Sequence, residues 1–131
     1  MAVRAIRGAT QLEADEREHL LDRTTELVRT VLVDNALSSD DVISILFTAT
    51  SDLHAEFPAY AARQLGLVDV PLLCTRELEI DDSMPRVIRL MAHVETDLAR
   101  ADVTHVYLHG AANLRRDLAR VSSHSSDDCP S

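Results

Sequence analysis

Val87-Ile88-Arg89-Leu90-Met91-Ala92-His93-Val94 reads as a β-strand that is apolar almost throughout and carries an arginine in its middle. Side chains alternate between the two faces of a strand, so Arg89 points away from Ile88 and Leu90. An unpaired guanidinium is too costly to bury, which leaves three accounts of it. A nearby carboxylate such as Glu77 or Glu95 pairs with it, a ligand carboxylate does so on arrival, or the arginine lies on a wet, open sheet face. Periodicity does not choose among them.

Working outward, the same parity recurs in two other segments. Arg7 alternates with Ile6, and Tyr107 alternates with Val106 and Leu108, so three anion-capable side chains can share one surface of a sheet. Glu77 follows a strand end in Cys74-Thr75-Arg76-Glu77, and Leu114-Arg115-Arg116 puts two cations near the end of the ordered pattern. These groups suit a small dicarboxylate that also carries a hydroxyl for Glu77 to bind.

The segment from Ala2 to Arg7 is expected to form a short strand with Val3, Ala5 and Arg7 on one face, broken at Gly8. Between about Asp15 and Asn35, Leu20, Leu21, Thr24, Leu27, Val28, Val31 and Leu32 recur at helical spacing, which predicts a long amphipathic helix. Ser38-Ser39-Asp40-Asp41 is a turn, and the strand after it is expected to place Ile43, Ile45, Phe47 and Ala49 on one face. Pro58 and Gly66 bracket a short helix carrying Arg63. Further strands are predicted at 70–75, 87–94 and 104–109, giving the order β-α-β-α-β-β-β.

At 131 residues the chain is long enough for one core and no more. Its composition, 46% hydrophobic and 27% charged, is that of a globular domain. A net charge of −9 and an aromatic content of 3% argue against binding phosphate backbones or stacking bases. No lysine occurs, so all 13 cationic residues are arginines, the side chain that grips carboxylates with a planar fork. Without an apolar run of ~18 residues or a signal-peptide h-region, the expected setting is the cytoplasm, with no membrane partner. Residues 1–120 are expected to form the domain, and the polar 121–131 a disordered tail.

Other constellations carry less. His105 and His109 flank Tyr107, but four residues of strand span ~13 Å, too far for one metal ion, so no metal is expected. Ser51, Asp52 and His54 are too close in sequence to orient as nucleophile, base and orienter, and read better as loop caps. Cys74 and Cys129 form no metal or redox spacing, and Cys74 fits a small apolar filler at a strand end.

Taken together, Arg4–Thr10, Thr48–Ala59, Cys74–Glu77, Ile88-Arg89 and His105–Leu108 closely resemble the trimeric α+β family of monofunctional chorismate mutases, from Arg4 to about Leu118. The resemblance implies a mixed five-stranded sheet backed by one long and one short helix, ferredoxin-like or chorismate-mutase-like, in a homotrimer with active sites between subunits. It implies conversion of chorismate to prephenate on the route to phenylalanine and tyrosine, without a cofactor. Arg89 would then address the ether oxygen, Arg7 and Tyr107 a carboxylate, and Glu77, with Cys74 beside it, the ring hydroxyl. Phe57, Ala59, Leu73 and Leu114 would line the pocket, and Arg63 and Arg115 would supply positive potential and closure at its mouth. Tyr60 and Arg116 depart from the family pattern at the rim, where a basic residue and a proline are usual.

The chemistry agrees with that implication. A [3,3] rearrangement needs neither nucleophile nor base, and one donor fixed where negative charge develops is worth ~10²–10³ in rate. Two other classes use similar arginines: a non-catalytic trimer that binds a small anionic metabolite, and a trimeric imine or enamine deaminase. Glu77 and Cys74 on one strand end, with the Phe-Pro-Ala helix start, favour the mutase.

Overall fold

The computed structural model describes residues 1–114, so Arg115, Arg116 and the 121–131 segment lie outside the described residues. The elements are β1 (Ala2–Gln11), α1 (Arg17–Asp34), β2 (Val42–Ala49), α2 (Pro58–Gln64), β3 (Leu72–Arg76), β4 (Val87–Thr96) and β5 (Val106–Leu108), in the order expected. They build one five-stranded sheet ordered β3-β2-β4-β1-β5. β4 pairs antiparallel with β1 and β2, whereas β1/β5 and β2/β3 are parallel, so the sheet is mixed and the class α+β. This corrects the ferredoxin-like half of the expectation, because that arrangement runs β-α-β-β-α-β. Here α2 returns the chain beside β2 in parallel.

Helix α1 buries Leu20, Leu21, Thr24, Leu27, Val28 and Val31, the stripe its periodicity predicts. It starts at Arg17 because Glu16 is the N-cap, its carboxylate accepting from the His19 N–H at 2.7 Å. Both helices pack on one face of the sheet, against Ile6, Ile45, Phe47, Ile88, Leu90, Ala92 and Val94. Burying that surface is the main favourable term in folding. The other face exposes Val3, Leu46, Leu73 and Met91 and is covered by no helix among the described residues. Among the same residues no helix is long and apolar enough to cross a membrane.

Two expectations fail for local reasons. β1 does not break at Gly8 but continues to Gln11. A Cβ at Gly8 would stand 3.1 Å from Leu27 Cδ1 and 3.3 Å from Leu90, so the glycine lets α1 settle close on the sheet. Ile43 does not join Ile45 and Phe47, because Val42 pairs with Val94 and Ser44 already with His93. The extra residue is a β-bulge, which turns Ile43 outward.

Candidate active site

Register brings together what the sequence scatters. Thr75, Thr48, Arg89, Ala9 and Tyr107, one from each strand, stand in a single row, each the pairing partner of the next. Neighbouring strands lie ~4.8 Å apart, so only the methyl of Ala9 separates Arg89 from Tyr107. Over that gap is a cavity of about 220 Å³ lined by Arg7, Thr48, Glu77, Arg89, Met91 and Tyr107, with Leu46 at its apolar side. Arg7 stands one rung along, opposite Met91.

Three contacts hold the charged groups. The Glu77 N–H donates to the Ala49 carbonyl at 2.9 Å, extending the β2–β3 pairing one residue past β3. Its Oε2 accepts a hydrogen bond from Thr48 Oγ1 and lies 3.1 Å from Arg89 Nε. Glu77 is therefore the carboxylate that meets Arg89. The Arg89 Nε–H is buried and is not aligned for a hydrogen bond, so it meets Glu77 as a charge rather than through a directed bond. The Arg7 backbone N–H donates to His105 Nδ1 at 2.9 Å, which leaves the proton of a neutral ring on Nε2.

A larger cleft of about 500 Å³ is lined by Leu53, His54, Glu56, Phe57, Cys74 and Arg76. Thr50 and Thr75 line it as well as Glu56 and Arg76, and several of the side chains around its loop are engaged in holding that loop. Asp15 accepts from the His54 and Ala55 amides at 3.0 Å, and Asp52 accepts from Thr50 Oγ1 at 2.6 Å. The Ser51-Asp52-His54 stretch is thus a capped loop. Arg17 pairs with Glu56 at 2.9 Å and sits over the Tyr60 ring at 5.5 Å. The bond from the Phe57 N–H, and then the Arg17 guanidinium, hold the Glu56 carboxyl below its ordinary range. His109 pairs with Glu26 at 2.7 Å while His105 serves Arg7, so the two do not converge. Among the described residues no group of three or more His, Cys, Asp or Glu is placed to hold a metal.

A sequence model described as chorismate mutase type I matches residues 3–118, nearly the whole chain. The chain belongs to the chorismate mutase type I family. Chorismate mutase AroH of Bacillus subtilis is 40% identical over 120 residues, 91% of this chain and 94% of that protein. Chorismate mutase AroH of Thermus thermophilus is 45% identical over 117 residues, 88% and 96% of the two chains. A solved chorismate mutase from Clostridium thermocellum superposes with a TM-score of 0.82 at 42% identity, covering 83% of this chain and 97% of that one.

Within this chorismate mutase-family chain the remaining candidates are dispersed. Cys74 pairs with Phe47, so the two-residue period sends it to the helix side of the sheet, where it lines the larger cleft with Phe57. Within one chain it does not line the cavity over Ala9. Ala59 is buried inside α2 rather than lining either cavity, because the same turn packs Ala61 and Ala62 into the core. Arg63 is exposed in the last turn of α2. Leu73 is exposed on edge strand β3, opposite Leu46. Leu114 is the last described residue and half-buried, and Arg115 lies beyond it. Ala9, Leu46, Met91 and Thr48 were not singled out from sequence, since only register reveals that they share the row or the cavity.

Proposed function

We infer that the chain rearranges chorismate to prephenate as a homotrimer whose neighbouring subunits complete each site. One observation carries this reading: in a chain of this family, Arg7, Arg89, Tyr107 and Glu77 converge on a single cavity over Ala9. The reaction is unimolecular, so the protein has two tasks, selecting the compact diaxial conformer and stabilising charge on the ether oxygen as the C–O bond breaks.

Arg89 addresses that oxygen. Its Nε is buried against Glu77, while the rest of the guanidinium lines the cavity and is open to an arriving oxygen. The strand holds the fork in place before substrate arrives. Arg7 and Tyr107 hold a carboxylate, and Glu77 accepts from the ring hydroxyl. Phe57 and Arg63 are exposed and line no part of this cavity, so they fit as the contribution of a neighbouring subunit, with Leu73 at the junction. Cys74 and Leu114 fit the same interface, Ala59 packs the turn that presents Phe57, and Arg115 keeps the closing role that the family resemblance implies. The product feeds phenylalanine and tyrosine synthesis, and residues 1–120 suffice for the activity.

The test is the loss of chorismate absorbance on adding purified protein without cofactor, alongside light scattering. Turnover by a species of three chains is the expected result. Binding without turnover, or full activity from a monomer, overturns the reading.

A further inference from the structure

We propose that Thr48 is a positioning residue that holds the Glu77 carboxylate by the one oxygen that meets Arg89 Nε, so that Glu77 does not take up the rest of the Arg89 fork before substrate binds. This rests on the mutase reading above. Thr48 and Arg89 face each other in the β2–β4 pairing, and both reach the same Glu77 oxygen, Oε2.

The contact between Arg89 and Glu77 is unusual for these partners. An arginine and a carboxylate left to themselves favour two parallel N–H···O bonds. Here the contact runs through Nε alone and without hydrogen-bond alignment. Two restraints account for that. The Glu77 backbone is tied to Ala49, and its carboxylate is tied to the hydroxyl of the strand between it and Arg89. Remove the hydroxyl and the second restraint goes. Glu77 then swings to a bidentate pair, which takes up the remaining N–H groups of the Arg89 fork and occupies the place of the substrate's oxygens.

This arrangement separates affinity from stability. A group that merely supports the fold loses both when removed. Removing Thr48's hydroxyl replaces one charge-assisted bond by a better-formed ion pair, so folding stability is kept while substrate must break that pair to enter. Loss therefore falls on KM more than on kcat.

The experiment compares Thr48→Val, which keeps shape and strand preference, with Thr48→Ser, which keeps the hydroxyl, in the full-length protein. Thr48→Val should raise KM for chorismate about 10-fold with kcat within about threefold, as for loss of one bond to a charged group. Its melting temperature should not fall, and Thr48→Ser should stay within about twofold of the parent. In a Glu77→Gln background, Thr48→Val should add nothing, since a neutral amide does not pair with Arg89 as a carboxylate does. Thr48→Ala replaces Thr48→Val in each comparison if the valine protein does not fold. Parental KM in Thr48→Val, or equal loss in the serine and valine variants, overturns the proposal while leaving the mutase reading intact. That reading fails separately if the parent protein does not consume chorismate.

Discussion

The backbone amide of Arg7 donates to the side chain of His105 at 2.9 Å, one residue before β1 and β5 begin to pair at Gly8 and Val106. The imidazole does there what a ladder carbonyl does further along, and so ties the position of Arg7 to that of Tyr107. His105→Ala leaves a part-buried N–H without this acceptor and should cost ~1–3 kcal/mol in urea unfolding, with KM raised. His105→Asn, whose Oδ1 accepts, should recover part of both. An alanine variant with parental stability and KM would remove His105 from the account.

Arg89→Ala and Arg89→Lys should both remain folded and assembled while kcat falls ~10²-fold or more. Lysine keeps the charge but not the planar fork, and should rescue little if donor placement at the ether oxygen matters. Stopped assays following chorismate loss settle it. A lysine variant close to the parent would mean that positive potential alone is enough.

Gly8→Ala brings a methyl to 3.1 Å from Leu27 Cδ1, and Leu27 is fully buried, so it cannot swing into solvent. Overpacking of this kind costs ~1–3 kcal/mol, against the ~0.4–1 kcal/mol gained from a stiffer unfolded chain. The net expectation is a destabilisation of about 1 kcal/mol in equilibrium unfolding. A stabilised variant would mean that α1 is not held close to the sheet at this point.

Glu56 ionises more readily in the folded chain than its ordinary value of 4.5, because the Phe57 amide and Arg17 favour the carboxylate. Its contribution to stability is therefore complete above about pH 4.5 and disappears as the pH falls through the folded value. The unfolding midpoint of Glu56→Gln should lie below the parent's at pH 7 and approach it at pH 3. A gap that is the same at both pH values would show that the carboxylate's charge is not what matters.

Much of this arrangement was legible in the residue pattern. The helix stripe of α1, the succession of strands and helices along the chain, and the parity that sets Arg7, Arg89 and Tyr107 on one face all follow from periods of 3.6 and 2 together with turn signals. What those periods lack is register. They could not say that Ala9 stands between Arg89 and Tyr107, nor that Glu77 rather than Glu95 reaches the guanidinium. The errors at Gly8 and Ile43 have the same origin, since a close helix approach and a bulge are set by the partner across the gap. Cys74 and Glu77, close in sequence, lie on opposite faces of one chain's sheet because their spacing is odd.

The row of residues across the sheet also divides the site by its amide exchange behaviour. Arg89 lies on the central strand and Ala9 on β1 beside it, both paired on each side, so their amides should exchange with solvent only through global opening. Glu77 follows β3, an edge strand paired on one side alone, which can open locally at much lower cost. Arg89 is thus held as rigidly as the fold itself, whereas Glu77, its carboxylate partner, sits where the sheet opens locally.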